Sequence, residues 1–159
     1  MQKAFVLGAG LGERLRPLTD QLPKPLIPVF HRPLITYAFD HLMAAGIREF
    51  VVNTHHLPGE YARAFPEGSY HGAPISFRDE SPVRLETAGG IANVRDLLGN
   101  VPFIVYNGDI LTNLPLDPLI RAHEEEGNLV TLALRSSGPA LHIGYDDASG
   151  RITDIRNKL

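Results

Sequence analysis

The chain has 159 residues, 43% of them hydrophobic, a formal net charge of −3 and no cysteine. That length fits a single domain, residues 1–159, able to bury about two thirds of its unfolded surface. The slightly acidic charge, spread without blocks, excludes an electrostatic footprint for nucleic acid or an anionic membrane, and the lack of cysteine excludes disulfides, thiolate metal sites and cysteine nucleophiles.

Lys3 leads into a short apolar run that ends at Gly8, too short for the apolar region of a signal peptide or for a membrane span, so a cytoplasmic location is expected. Within it, residues 4–7 read as a buried strand. Residues 33–45 read as a helix: Leu34, Ile35, Ala38, Phe39, Leu42 and Met43 recur at helical spacing, Pro33 suits a first turn and Gly46 a stop. Further strands are expected over 50–52, 75–77, 103–106 and 129–134, and weaker helical signals cover 59–65, 88–98 and 118–126. This β-α-β alternation predicts an α/β fold, a Rossmann-like three-layer sandwich on a mostly parallel sheet, with ligands bound beyond the carboxyl ends of the strands.

The segment after the first strand, GAGLGERLRPLTDQLPKPLIPV from Gly8 to Val29, tests two familiar motifs and fits neither. Gly8, Gly10 and Gly12 are spaced GxGxG, with Glu13 where a dinucleotide-binding loop has its third glycine, and no P-loop string occurs in the chain. What remains is a glycine loop whose backbone N–H groups can approach an anion, followed by Arg14, Arg16 and Lys24 as positive charges. Pro17, Pro23, Pro25 and Pro28 oppose a helix there, so the cations sit on a stiff, folded loop suited to clamping a polyphosphate. A tight turn with solvated arginines is the alternative.

This segment resembles the signature of the sugar-1-phosphate nucleotidyltransferases. Three further matches follow in order: NTHHL from Asn53, ETAGGI from Glu86 and NGDI from Asn107. The combination is most similar to the N-acetylmuramate-1-phosphate uridylyltransferase and mannose-1-phosphate guanylyltransferase branches. The resemblance implies the nucleotide-diphospho-sugar transferase fold and a reaction in which an NTP and a sugar 1-phosphate give an NDP-sugar and pyrophosphate. It also implies residue roles. Arg14, Lys24 and Asp109 are the catalytic candidates: Arg14 grips the leaving pyrophosphate, Lys24 stands near the α-phosphate, and Asp109, after the apolar run 103–106, holds Mg2+. The nucleotide is expected at Ala9, Gly10, Gly12, Glu13, Arg14, Lys24, Glu80, Gly89 and Asn107, with Glu80 accepting from a base N–H and Thr87 capping a helix that begins near Ala88. The sugar phosphate is expected at Gly144 and Lys158.

Seven histidines raise the question of a metal, but His55 and His56 are adjacent and lack ligand spacing, so they are expected to shape a loop. Glu124, Glu125 and Glu126 read as a solvated helix end. Relatives of this kind are longer, so the sequence reads as truncated at its C-terminal side. Two functions stay open, the enzyme and a non-catalytic nucleotide-sugar sensor or assembly subunit. Having Arg14, Lys24 and Asp109 together favours the enzyme, and self-association into a homo-oligomer is left open.

Overall fold

The computed structural model describes residues 1–138 and 142–156, which group into two compact units, Met1–Leu116 and Asp117–Leu159. In chain order the first unit holds β1 (Lys3–Leu7), the short hairpin pair β2 (Pro28–Val29) and β3 (Arg32–Pro33), α1 (Leu34–Ala44), β4 (Glu49–Thr54) and α2 (Pro58–Ala64). It continues through β5 (Ser69–Tyr70), β6 (Ala73–Asp79), α3 (Glu86–Asn93), α4 (Arg95–Leu98) and β7 (Phe103–Asn107). The second unit contains α5 (Asp117–Glu126) and a two-stranded ladder of β8 (Ile143–Tyr145) and β9 (Ile152–Ile155).

Five strands of the first unit form one sheet in the order β5-β6-β4-β1-β7. β1 pairs in parallel with β4 and β7, β4 in parallel with β6, and only β5 runs antiparallel, against β6. The apolar runs at 4–7 and 50–52 are continuous rather than alternating because β1 and β4 are covered on both faces. On one face the Phe39 ring of α1 stands 4.5 Å from that of Phe50, and Phe65, just after α2, packs against Phe39 and Phe77. On the other face Phe5 and Val51 pack with Val94 and Leu98. Helices therefore lie on both sides of the sheet, giving the three layers expected. Gly46 ends α1 at φ +89°, its N–H donating to Met43 O, a conformation that favours glycine.

Two expectations need correction. Residues 129–134 form no strand; Leu129 and Val130 are fully or largely exposed, and the segment has no ladder partner among the described residues. An apolar run becomes a strand only where a neighbour accepts its backbone hydrogen bonds. The helix expected over 88–98 is instead two, α3 and α4, divided at Val94, whose side chain is wholly buried in the core. Since α3 begins at Glu86, Thr87 lies inside it and cannot cap it; Leu85 occupies the cap position with no side-chain cap.

Candidate functional site

The carboxyl ends of β1, β4, β6 and β7 open onto a cleft of about 830 Å³. Its wall on the β1 side is the glycine loop. Gly8 lies so close to β4 that a Cβ there would stand 2.7 Å from Asn53 O and 2.9 Å from the Tyr61 hydroxyl. Its N–H donates to Asn53 Oδ1 at 2.8 Å, and its carbonyl accepts from Tyr61 Oη at 2.9 Å. The next four N–H groups, of residues 9–12, meet no acceptor among the described residues. Four amide donors along a cleft wall form a ready surface for anionic oxygens.

The proline-rich continuation folds as three single 3-10 turns, Glu13–Leu15, Leu18–Asp20 and Lys24–Leu26, in place of a helix. Gly12 makes the turn into the first at φ +66°, and a Cβ on it would strike Thr19 Cγ2 at 2.6 Å, so the segment folds back flush against the loop. Buried Thr19 donates from Oγ1 to Gly12 O at 3.0 Å, while its own carbonyl contacts His56 Nε2 at 2.6 Å. Of the histidine pair, His56 braces the proline-rich segment through this contact.

Lys24, carried on the third turn, reaches across the cleft to the end of β7, where Nζ lies 2.5 Å from Asp109 Oδ2. Each side chain is about one-third exposed (31% and 33%), so the pair faces the cleft rather than the core. Gly108 lets β7 approach β1 closely: a Cβ would stand 2.9 Å from Leu7 O. That contact fixes where Asp109 emerges. Arg14 lines the cleft from the first turn, whereas Arg16 lies outside it and forms a surface pair with Asp20 at 3.4 Å.

The far wall is built by the ends of β6 and α3. Glu80 is buried (4% exposed), accepting from Asn53 Nδ2 at 2.8 Å on one oxygen and from the Leu85 N–H at 3.0 Å on the other. Asn53 (3% exposed) therefore ties β1, β4 and β6 together through one amide group, and Glu80 anchors the residue before α3 by accepting from the Leu85 N–H. Gly90 packs on this pair, since a Cβ there would stand 2.8 Å from Glu80 Oε1. Gly89 does not line the cleft; it packs on Leu85. Arg84 and Glu86 line the rim and pair with each other at 2.6 Å, and Glu86 holds φ +57°, a strained backbone for a residue with a side chain.

Ala9, Gly10, Gly12, Glu13, Arg14, Lys24, Glu80, Asn107 and Asp109 thus converge on one cleft. Gly144 sits on β8 in the second unit, and Lys158 lies outside the described residues. The motif that contains Asn53 gives no sign of that residue's role, and nothing in the sequence singles out Tyr61.

A parallel sheet whose strand ends surround a glycine loop, a lysine and an aspartate defines an α/β domain with its cleft where open sheets of this class bind ligands. The chain belongs to the nucleotidyl transferase family, whose model matches residues 3–158. It is 47% identical over 112 residues to N-acetylmuramate alpha-1-phosphate uridylyltransferase of Neisseria meningitidis, a match spanning 70% of this chain and 48% of that protein. With mannose-1-phosphate guanylyltransferase of Mycobacterium tuberculosis it shares 39% identity over 132 residues, 82% of this chain and 36% of the relative. The chain spans about half or less of the length of these relatives. A Bacillus anthracis crystal structure described as a glucose-1-phosphate thymidylyltransferase in complex with sucrose has the same fold: TM-score 0.71, 24% identity, 79% of this chain and 51% of that one. No helix among the described residues is long and apolar enough to cross a membrane.

Proposed function

We propose that the cleft is the nucleotide site of an enzyme that joins an NTP to a sugar 1-phosphate and releases pyrophosphate. The observation that carries this reading is the convergence of four unengaged loop amides, Arg14, Lys24 and Asp109 on one cleft. In the reaction an oxygen of the sugar phosphate attacks the α-phosphorus, the bond from that phosphorus to the β-phosphate oxygen breaks, and pyrophosphate leaves with the electron pair. Both substrates are anions, and two unit charges about 4 Å apart repel by roughly 4 kcal/mol at an effective dielectric of about 20. The chain's own residues offset part of this. The amides of residues 9–12 receive phosphate oxygens, the Arg14 fork holds the departing pyrophosphate, and Lys24 supplies a point charge beside the reacting phosphorus.

These groups alone do not balance the substrate's charge. The side chains of Arg14, Lys24 and Arg84 share the cleft with those of Glu13, Glu80, Glu86 and Asp109, three cations against four carboxylates. A triphosphate entering that cleft needs a further cation. A single carboxylate at the strand ends is enough for Mg2+, which takes one or two protein carboxylates and completes its shell with water and phosphate oxygens. Asp109 is the residue that would hold it, and when bound the ion neutralises charge on the transferring phosphates. Glu80 shapes the base pocket by fixing β6 and α3. Gly144 and Lys158 are assigned to the sugar phosphate from the family resemblance alone. The nucleotide and sugar pairs we favour are UTP with N-acetylmuramate 1-phosphate and GTP with mannose 1-phosphate, the substrates named for the two relatives above.

The deciding experiment is pyrophosphate release by the full-length protein across UTP, GTP, dTTP and CTP with N-acetylmuramate, mannose and glucose 1-phosphates. Turnover of one pair above the rest supports the reading; nucleotide-sugar binding with no turnover of any pair would instead make this a sensor or assembly subunit. Two arginines only two positions apart give a sharper comparison. Arg14→Ala is expected to weaken NTP affinity about tenfold, because it removes a charge-assisted bidentate grip on the phosphates. Arg16→Ala, which removes only a surface pair outside the cleft, is expected to change affinity less than about twofold. Equal effects in a titration of the two variants would refute the placement of Arg14.

A further inference from the structure

The glycine loop is held from behind by a residue that plays no part in the reading above. Tyr61 of α2 is completely buried, and its hydroxyl donates to the carbonyl of Gly8, the last residue before the unengaged amides. Asn53 takes the N–H of the same residue, so both polar groups of Gly8 are fixed by side chains from β4 and α2. Only a residue without a side chain fits between the two partners, because a Cβ at Gly8 would stand 2.7 Å from Asn53 O and 2.9 Å from the Tyr61 hydroxyl. The two bonds pin two consecutive peptide planes, Leu7–Gly8 through its N–H and Gly8–Ala9 through its C=O, and the second plane carries the Ala9 N–H, directed away from the clamped carbonyl.

We propose that Tyr61 is a positioning residue that, by clamping the Gly8 carbonyl, aims the Ala9 amide and fixes the start of the phosphate-binding run of residues 9–12. This role rests on the nucleotide-binding reading of the cleft. Its own chemistry suits the task. Burial, reinforced by the nearby charge of Asp109, raises the phenol pKa well above its usual value, so the hydroxyl stays protonated and remains a donor at any physiological pH. The ring is seated independently of the hydroxyl, 5.7 Å from the Phe77 ring, so removing the oxygen alone leaves the packing in place.

The test is a titration of the full-length protein with inorganic tripolyphosphate in magnesium buffer, together with steady-state kinetics. Tyr61→Phe is expected to weaken tripolyphosphate about tenfold and to raise KM for the NTP by a similar factor, while KM for the sugar 1-phosphate stays within about twofold. Phe77→Leu serves as the packing control: it disturbs the seat of the ring without touching Gly8, and is expected to lower Tm while leaving tripolyphosphate affinity unchanged. A purely structural Tyr61 would move Tm and both KM values together, and that result overturns the proposal. So do equal tripolyphosphate affinities for wild type and Tyr61→Phe, an outcome that leaves the enzyme reading standing. Wild type that binds tripolyphosphate tightly but turns over no NTP refutes the enzyme reading and leaves the clamp intact. Failure of wild type to bind tripolyphosphate refutes both.

Discussion

Lys24→Ala in the full-length protein is expected to lower the rate of pyrophosphate release by about a thousandfold, the scale on which phosphoryl-transfer enzymes lose activity with a transition-state cation. Before substrate arrives, Lys24 is paired to Asp109 at the mouth of the cleft, with both side chains about one-third exposed. A pair so solvated contributes about 1 kcal/mol or less to folding, so the variant should melt within a few degrees of wild type. The activity loss can therefore be separated from unfolding in one preparation. Arginine is not expected to rescue it. Pro23 and Pro25 confine the turn that carries the side chain, and a compact ammonium held beside Asp109 is a point charge that a broader planar guanidinium does not reproduce at the same spot. If both residues act on the same transferring phosphate, the double variant with Asp109→Ala falls little below either single one. Retention of more than about a tenth of the wild-type rate by Lys24→Ala would remove the lysine from the chemistry.

That lysine was legible in the sequence because its setting is local: prolines on both sides, a glycine loop a dozen residues earlier, an apolar strand before it. The same holds for the strands of the sheet interior, where burial on two faces writes an unbroken apolar run. Residues 129–134 carry the same run and form no strand, because a strand is a property of its neighbours as much as of itself. One position along a helix or turn decides what a residue touches. Gly90, not Gly89, lies against Glu80, a difference of one helical step of about 100° that composition cannot resolve. Arg14 and Arg16 look equivalent in the string, yet a tight turn sends one into the cleft and the other to Asp20. Asn53 was hidden for a different reason. Its partners lie 45 and 27 residues away, and a polar side chain at the end of an apolar run gives no sign of what it will meet.

Asn53→Ala is expected to be the costliest single loss of a polar group in the first unit. The amide is 3% exposed and serves two buried partners, accepting from the Gly8 N–H and donating to Glu80 Oε1. Truncation strands a backbone donor and deprives a buried carboxylate of a donor at once. Each buried group left unsatisfied costs about 1–3 kcal/mol, so a combined loss of about 3 kcal/mol follows, or about 10 °C in Tm for a protein of this size or larger. Asn53→Asp separates the two contacts. It keeps an acceptor for Gly8 but sets a second carboxylate against Glu80, where the folded state holds like charges together that the unfolded chain keeps apart. Protonation relieves that repulsion only in the folded state, so this variant should be less stable than Asn53→Ala at neutral pH and should recover stability as the pH falls. Thermal melts of both variants at neutral and mildly acidic pH decide the matter. A pH-independent deficit in Asn53→Asp, or a loss under about 1 kcal/mol in Asn53→Ala, would mean that the loop and β6 are held together by something other than this amide.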